Sequence, residues 1–290
     1  MTSYTVTPAE LAQLQAKTVL IFGGATGFGS TAVEIAHANG ANVVLADWND
    51  QGAALAKRLG DRVVFKKCDV SNWDDVLGAF ETASSKFGCI HTVLSNAGVT
   101  AGEDLLEEKY DETGRLLAPS LTSIQINLIG QLYVSRCAVL FAKKWPETKT
   151  DLVMTASAAS FFASPPIFMY CAAKTGILGL MRALHLELEG SNTSVNIVCP
   201  FFTVTNLVAP EWLAIWGDLP TTPASVTATA LLLSSVKEKV SGKAFFVFGH
   251  EIVDFEETLD KTAPEWMGED LCAVVRKGIE RLRSKTNITT

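Results

Sequence analysis

The chain has 290 residues, of which 48% are hydrophobic, and it carries a formal net charge of −7 with a pI near 5.2. This length and composition allow a large buried core, and we predict one domain over residues 1–290. The acidic charge and the lack of a basic run argue against a nucleic-acid partner. The first residues do not resemble a secretory signal, and no apolar run approaches the roughly 20 residues of a membrane span. We therefore expect a cytoplasmic protein without a membrane partner.

The cysteines and histidines show no pattern of metal ligands. The six cysteines are scattered along the chain, without a Cys-x-x-Cys pair or a cluster of cysteine and histidine at ligand spacing. The four histidines lie near no nucleophile pattern. We predict no metal site and interpret the cysteines as buried thiols.

The first element in chain order is a short helix, because Thr7, Pro8 and Glu10 form a capping-box pattern with proline at the first helical position. Seven apolar runs then have the length and continuity of strands covered on both faces: 18–22, 41–46, 62–65, 90–94, 151–154, 194–198 and 244–248. Helical patterns lie between them, at 30–39, 50–59, 72–87, 122–143, 170–189 and 223–235. This alternation predicts an α/β fold with a doubly wound, Rossmann-type, seven-stranded and mainly parallel sheet flanked by helices.

Three segments lie outside this alternation. Residues 1–16 are expected to form an N-terminal helical extension. Residues 201–222, which are rich in Phe, Trp and Pro, interrupt the path to the next helix, where a substrate lid is expected. Residues 250–290 carry apolar side chains at helical spacing, which predicts an amphipathic helical tail packed on the body or on a partner subunit.

A glycine cluster follows the strand predicted at 18–22. Glycine at positions 23, 27 and 29 lets the chain turn tightly and leaves bare backbone N–H groups beside a helix N-terminus, where a pyrophosphate binds. The cluster therefore predicts a dinucleotide site, and its members are Gly23, Thr26, Gly27, Phe28 and Gly29.

Asp47 ends the next predicted strand and bears on the choice of cofactor. A carboxylate at this position accepts hydrogen bonds from an adenosine ribose and repels the 2′-phosphate of NADP. No Arg or Lys stands in the glycine cluster or directly after Asp47, so NAD is favoured over NADP. The alternative interpretation is that Asp47 only begins a turn before Asn49.

Tyr170 and Lys174 are four residues apart, one turn along the same face of a predicted helix. A tyrosine of lowered pKa is able to exchange the hydroxyl proton when a hydride moves between an alcohol and a nicotinamide. The Lys174 ammonium is placed to stabilise the tyrosinate, and Ser157 is placed to hydrogen-bond the reacting oxygen. Taken one at a time, these residues have other interpretations. Ser157 is also consistent with a helix cap, and Tyr170 and Lys174 are also consistent with an exposed pair on the helix surface.

The G-x-x-x-G-x-G spacing resembles the classical short-chain dehydrogenase/reductase family over about residues 16–250. Within the family, the extended C-terminal tail, which is acidic and contains tryptophan, is most similar in composition to that of fungal members. Some of these members act on secondary metabolites. The resemblance implies that Lys174 holds the nicotinamide ribose and that Asn127 completes a catalytic tetrad with Ser157, Tyr170 and Lys174. It also implies further cofactor contacts, at Asp69, Val70, Asn96, Ala97, Gly98, Pro200 and Thr205.

Two aromatic residues depart from the family pattern. Phe22 stands where many relatives have threonine, and Phe201 follows Pro200 where the family usually has glycine. Phe22 is expected to repack the end of its strand, whereas Phe201 is expected near the nicotinamide, where it reshapes the pocket. If both rings spoil the cofactor geometry, the chain is a redox-inactive binding or scaffold protein, although the complete tetrad argues against that alternative.

Aromatic side chains accompany the predicted catalytic residues. Phe161 and Phe162 precede Tyr170, and Phe202 and Trp212 belong to the expected lid. Aromatic residues there predict a hydrophobic substrate such as a terpenoid or polyketide, although they also fit ordinary core packing. The function predicted from the sequence is NAD-dependent interconversion of a secondary alcohol and a ketone, with Tyr170 as general acid and base. An NADPH-dependent ketoreductase is the alternative.

The family resemblance also implies a homodimer or homotetramer built on the helices at 122–143 and 170–189. Small residues in the second helix permit close packing against a partner helix, but they fit contact with the sheet equally well. These residues are Ala172, Ala173, Gly176 and Gly179.

Overall fold

The computed structural model describes residues 2–102, 104–205, 208 and 210–286. Its strands are β1 (Thr2–Ser3), β2 (Thr18–Phe22), β3 (Asn42–Asp47), β4 (Val63–Lys67), β5 (Thr92–Ser95), β6 (Thr150–Thr155), β7 (Thr193–Pro200), β8 (Ala244–Phe248) and β9 (Glu251–Asp254). They form one sheet in the order β1-β9-β8-β7-β6-β5-β2-β3-β4. The seven strands from β2 to β8 pair in parallel, as expected for continuous apolar runs.

The helices are α1 (Pro8–Leu11), α2 (Gly27–Ala38), α3 (Gln51–Leu59), α4 (Trp73–Phe87), α5 (Thr122–Ile124), α6 (Gly130–Ala142), α7 (Phe168–Glu187), α8 (Pro210–Trp216), α9 (Ala224–Val236), α10 (Glu256–Met267) and α11 (Glu269–Thr286). One core cluster joins the sheet to α2, α3 and α9. A second cluster joins the opposite face to α4, α6 and α7. The predicted Rossmann-type α/β fold is confirmed, with helices on both faces of a mainly parallel sheet.

The count of seven strands omitted two short antiparallel strands. The β9 strand returns beside β8, and β1 pairs with β9 through Thr2 and Ser3. The expected helix at the N-terminus is present, with Thr7 and Glu10 forming a capping box. Sequence periodicity missed β1 because a two-residue strand has no alternation to detect.

The run predicted as one helix over 122–143 contains a π-helical turn. It consists of α5, a π turn at Gln125–Ile129, and α6. The 21 residues 122–142 are long and apolar enough to cross a membrane by length and composition alone, so the expectation that no run approaches this length was wrong. The run packs against α4 and the sheet, and its apolar character is that of a helix in a protein core.

The tail forms two helices, α10 and α11, rather than one. They are separated at Gly268, whose φ of +87° ends α10 in a conformation that suits glycine. Most of the apolar residues predicted to pack on the body or on a partner subunit are exposed within this chain: Trp266, Leu271, Val274, Val275, Ile279 and Leu282. Residues 287–290 of the predicted tail lie outside the described residues.

Candidate active site

The carboxyl ends of the central strands open into a cavity of about 1040 Å³. The chain leaves β2 toward β3 on one side and later returns to β5 on the other, so the cavity lies at a topological switch point, where open α/β sheets bind ligands. Its volume is at the upper end of the roughly 300–1000 Å³ that is usual for small-molecule sites. Fourteen predicted cofactor residues line it: Gly23, Thr26, Gly27, Phe28, Asp47, Asp69, Val70, Asn96, Ala97, Gly98, Tyr170, Lys174, Pro200 and Thr205.

The glycine cluster forms the turn from β2 into α2. Gly23 has a φ of +77°, and a Cβ atom there would lie 2.6 Å from the backbone of Ala97. A Cβ atom on Gly29 would lie 2.0 Å from the carbonyl oxygen of Gly23, which explains why Gly29 supports the turn without lining the cavity. Within the described residues, the side chain of the N-cap residue Thr26 makes no capping bond. The backbone N–H groups of this helix end are therefore suited to a phosphate.

The carboxylate of Asp47 holds two pieces of backbone at the edge of the cavity. One oxygen accepts a 2.8 Å bond from the Ala25 N–H, and the other accepts a 2.8 Å bond from the Asn49 N–H. The bond from Asn49 closes a turn, so Asp47 also has the turn-forming role that was its alternative interpretation from the sequence. A carboxylate oxygen has two acceptor sites, so each oxygen of Asp47 is able to accept a further hydrogen bond from a ribose diol.

Asn96 ties the strand ends together below the glycine cluster. Its Nδ2 donates a 2.9 Å bond to the carbonyl of Gly23, and its Oδ1 accepts a 2.9 Å bond from the Thr155 hydroxyl. Thr155 also accepts, through its backbone carbonyl, a 2.7 Å bond from the Nζ atom of Lys174. Sequence reasoning did not single out Thr155, although it lies two residues before Ser157 at the end of β6.

Ser157 and Tyr170 meet at the inner wall of the cavity. The Ser157 side chain hydrogen-bonds Tyr170, and its Oγ atom also accepts a 3.1 Å bond from the Ala159 N–H. Ser157 therefore fills the capping role and lies beside Tyr170, while its hydrogen bond to the reacting oxygen stays a prediction. Burial raises the pKa of Tyr170, while the hydrogen bond to Ser157 lowers it.

Lys174 is almost completely buried beside the tyrosine. Its Nζ atom lies 5.4 Å from the centre of the Tyr170 ring. Burial lowers the pKa of Lys174 to about 8. A buried ammonium that is held by one carbonyl retains two further N–H groups for a ligand.

Asn127 lies in the π turn and faces the loop after β5. Its Oδ1 accepts a 2.8 Å bond from the Val99 N–H, and its Nδ2 donates a 2.7 Å bond to the Val99 carbonyl. A Cβ atom on Gly98 would lie 3.1 Å from Asn127 Oδ1 and 3.5 Å from Lys174 Nζ. Asn127 therefore lies behind the loop that carries Gly98, and it is fully buried. π turns of this kind are frequent at functional sites.

The outer wall of the cavity is aromatic, and it contains two of the four residues that the sequence predicted for the substrate pocket. Phe202 and Trp212 line it, together with Phe201 and Trp216. The ring of Trp216 stacks on Phe202 at 3.9 Å between ring centres and meets Phe201 edge-on at 5.4 Å. Phe202 has a φ of +36°, so the stacked ring occupies a backbone conformation that is unusual for phenylalanine.

Phe161 and Phe162 do not line the cavity that the described residues form. Phe161 packs edge-on against Phe255, at 5.1 Å between ring centres, and Phe162 contacts both Phe246 and Phe255. Their assignment to the substrate pocket is therefore corrected. The short turn between Ser157 and Tyr170 points both rings away from the cavity. The sequence alone could not show whether these rings would line the pocket or pack in the core. Leu207, which belongs to the expected lid, lies outside the described residues.

The departure at position 22 is absorbed by the core. Phe22 is fully buried and packs against Phe80, at 5.6 Å between ring centres, on the face opposite α2. It is not among the residues that line the cavity in the described part of the chain. Phe201 does line the cavity, as expected from its place after Pro200.

Trp48 is a cavity residue that sequence reasoning missed. It directly follows Asp47 and is 70% exposed, which leaves a large flat ring uncovered beside the carboxylate. Asn49 and Gln51 extend the same wall, and neither is basic. The position of Trp48 directly after Asp47 could have indicated that it lines the cavity. In this fold, the residues that follow the acidic residue face the adenosine end of a dinucleotide.

A glycine turn at a helix N-terminus, a carboxylate at the end of the next strand and a Ser/Tyr/Lys group at the far end of the same cavity define a nicotinamide-dependent oxidoreductase of the Rossmann class. A family model described as short chain dehydrogenase matches residues 17–214. The chain belongs to the short-chain dehydrogenase/reductase family, which implies a nicotinamide cofactor.

Individual relatives agree with this assignment. Short-chain dehydrogenase/reductase prx4 of Penicillium rubens is 28% identical over 288 residues, covering 92% of this chain and 85% of the relative. Short-chain dehydrogenase/reductase ascJ of Acremonium egyptiacum is 30% identical over 270 residues, covering 91% and 89%. The (+)-borneol dehydrogenase 1 of Salvia officinalis is 32% identical over 202 residues, covering 69% and 74%. The expected resemblance to fungal members is confirmed.

A solved structure supports the fold. A short-chain type dehydrogenase/reductase from Mycobacterium marinum superposes with a TM-score of 0.73 at 23% identity. The match covers 83% of this chain and 97% of that chain. At this identity the likeness concerns the fold alone.

Proposed function

We propose that the protein is an NAD-dependent dehydrogenase that interconverts a secondary alcohol and a ketone on a hydrophobic small molecule. The observation that carries this proposal is the placement of Ser157, Tyr170 and Lys174 together on the inner wall of one cavity. The aromatic outer wall supports an apolar substrate. The (+)-borneol dehydrogenase among the relatives is named for a secondary alcohol.

The bound nicotinamide would accept or donate the hydride. Tyr170 exchanges the hydroxyl proton of the substrate, acting as base in oxidation and as acid in reduction. Ser157 donates a hydrogen bond to the reacting oxygen and thereby holds it beside the tyrosine. Lys174, when charged, stabilises the tyrosinate and offers N–H groups to the cofactor ribose.

Asn127 acts through its neighbours in this proposal. Its side chain holds both backbone groups of Val99, and so it keeps the loop that carries Gly98 at a fixed distance from Lys174. Asn127 is a positioning residue for the lysine and for the cofactor ribose.

The preference for NAD rests on the surroundings of Asp47. The carboxylate lines the cavity, and the cavity residues that follow it, Trp48, Asn49 and Gln51, carry no positive charge. A 2′-phosphate at this place would meet a negative charge without a basic partner from this wall. Homo-oligomerisation through α6 and α7 and a cytoplasmic location stay predictions.

The experiment that tests the function is the change Tyr170→Phe. We expect turnover of an apolar secondary alcohol with NAD to fall by about a thousandfold or more, since general acid–base catalysis contributes roughly 10²–10⁴-fold and no other acid replaces the phenol. The dissociation constant for NAD should change little. Turnover by initial rates and binding by calorimetry are the two measurements.

Ser164→Ala is the matched control, because it also removes a hydroxyl from the cavity wall. Its Oγ atom donates only to a backbone carbonyl within the same turn, so we expect near-normal turnover. Unchanged turnover in Tyr170→Phe would refute the proposed mechanism. Failure of the unmodified protein to bind either nicotinamide cofactor would favour the scaffold alternative.

A further inference from the structure

The segment 104–117, here called the arm, presents apolar side chains to solvent. It folds into a small hairpin in which Tyr110 bridges Leu116 and the Leu117 N–H donates to the Lys109 carbonyl at 2.8 Å. Every residue from 105 to 119 is exposed. An isolated two-stranded hairpin is marginally stable, and this one exposes between 47% and 76% of its large apolar side chains: Leu105, Leu106, Tyr110, Leu116 and Leu117.

Helix α11, here called the tail helix, has the same property. Leu271, Val275, Ile279 and Leu282 follow one another at helical spacing on one face, and each is at least 40% exposed. Among the described side chains of this helix, only that of Cys272 is buried. A helix contributes to a stable fold mainly through an apolar face that is covered, and this face is not covered within the chain.

The two surfaces carry opposite charge. The arm has five acidic residues against two basic ones, whereas residues 276–285 of the tail helix have five basic residues against one acidic one. Glu108 and Glu112 are exposed on the arm, and Lys277 and Arg281 are exposed beside the apolar face of the tail helix. Apolar surfaces with complementary charged borders are the pattern of a specific protein interface.

The arm and the basic half of the tail helix lie at opposite ends of α7. The arm begins beside α5, where Ala101 exchanges hydrogen bonds with the Ser123 hydroxyl. Three residues earlier, Gly98 lies beside Lys174 in the first half of α7, which places the start of the arm near that end of the helix. Arg283 of the tail helix pairs with Glu189 and donates to the Leu186 carbonyl, at the end of α7. A helix of 20 residues is about 30 Å long, so the two surfaces do not meet within one chain.

A second copy removes this separation. A two-fold axis across α7 brings the start of one α7 beside the end of the other, and every contact then occurs twice. We propose that the arm of each chain packs on the tail helix of the other in a symmetric dimer. The contact covers the apolar side chains of both surfaces and places Glu108 and Glu112 opposite Lys277 and Arg281.

Charge reversal tests this arrangement. In the arm variant, Glu108 and Glu112 are changed to Lys, and in the tail variant, Lys277 and Arg281 are changed to Glu. We expect each variant alone to dimerise at least about tenfold more weakly than the unmodified protein in sedimentation velocity, because like charges then face each other twice. An equimolar mixture of the two variants should dimerise normally, since both contacts of a mixed pair again join opposite charges.

The controls are Lys57→Glu and Asp61→Lys, which reverse exposed charges on the α3 side of the sheet. They should leave dimerisation unchanged. The proposal is overturned if the unmodified protein is monomeric at all accessible concentrations. It is equally overturned if both reversals leave the dimer unchanged, which would place the interface elsewhere, or if the mixture fails to restore it.

Discussion

At the scale of single residues, the cavity is lined both by Tyr170, the proposed proton-transfer group, and by Asp47, the proposed cofactor-discriminating group. Tyr170 is partly buried on the cavity wall and Lys174 is almost fully buried beside it. Burial moves their pKa values in opposite directions, upward for the phenol and downward for the ammonium. Burial therefore favours the neutral form of both groups in the ligand-free protein. A positive charge brought by the oxidised cofactor would favour the tyrosinate, which links cofactor binding to activation of the base.

Asp47 determines the expected cofactor preference. In Asp47→Asn, the side chain keeps its size and one acceptor oxygen but loses its negative charge, so we expect the preference for NAD over NADP to fall about tenfold or more. Binding calorimetry with both cofactors is the measurement.

The matched control is Asp50→Asn, because Asp50 is an exposed carboxylate three residues later that pairs with Lys67. Its change should leave the preference intact. Equal preference for NAD and NADP in the unmodified protein would contradict the role assigned to Asp47.

At the scale of elements, the segment 201–222 joins the end of β7 to the aromatic wall. Its two ends are held together by Thr222, whose hydroxyl donates to the Phe201 carbonyl at 2.7 Å and whose N–H donates to the Phe202 carbonyl at 3.0 Å. Helix α8 between them carries Trp212 and Trp216 to the cavity. The anchored ends and the aromatic middle favour the substrate lid predicted from the sequence.

Trp216→Ala tests this lid. The change removes the stacking partner of Phe202 and the edge contact with Phe201, each worth roughly 0.5–1.5 kcal/mol. We expect the KM for an apolar alcohol to rise about tenfold while the KM for NAD changes little. Steady-state kinetics with each substrate varied in turn is the measurement.

Trp266→Ala serves as the control, since Trp266 is a largely exposed tryptophan of the tail helices. It should leave both constants unchanged. An unaltered KM for the alcohol in Trp216→Ala would show that the substrate lies elsewhere in the cavity.

At the scale of the whole molecule, buried thiols link stability to pH. Burial raises the pKa of Cys68 to about 12 and that of Cys137 to about 11, and it raises the pKa of Cys199 further. Above about pH 9 these thiols ionise in the unfolded chain but stay protonated in the folded one. Stability therefore falls as pH rises through this range.

Lys174 acts in the opposite sense, because its lowered pKa raises stability between about pH 8 and 10.5. Lys17, whose pKa burial also lowers, acts in the same sense as Lys174. The three thiols above, Cys89 and Tyr170 outnumber these two lysines, so the net change should be a loss. We expect Cys137→Ala to flatten the fall in unfolding free energy between pH 8.5 and 10.5. Urea unfolding at several pH values in reducing buffer is the measurement.

Cys272→Ala controls for removal of a buried cysteine side chain. A steeper or unchanged pH dependence in Cys137→Ala relative to this control would contradict the linkage. The comparison uses slopes rather than absolute stabilities, so the packing cost of each truncation does not enter.

Local sequence was sufficient for the alternation of strands and helices and for the glycine turn. It was also sufficient to select Asp47 and the proposed catalytic group Ser157, Tyr170 and Lys174, which line one cavity. Apolar runs, helix periodicity and glycine spacing are properties of neighbouring residues, and the parallel strands formed within two residues of the predicted bounds. The residues of the proposed tetrad belong to three elements, the π turn, the end of β6 and α7. The carboxyl ends of parallel strands nevertheless bring their loops to one edge of the sheet.

Tertiary packing alone established the rest. The direction of an aromatic ring depends on distant neighbours, which is why Phe161 and Phe162 turned toward Phe255 while Trp216 entered the cavity. The same holds for Phe22, whose ring found space against Phe80. The uncovered arm and tail helix became evident only when burial was known, because a helical or strand pattern records which side chains are apolar and not what covers them.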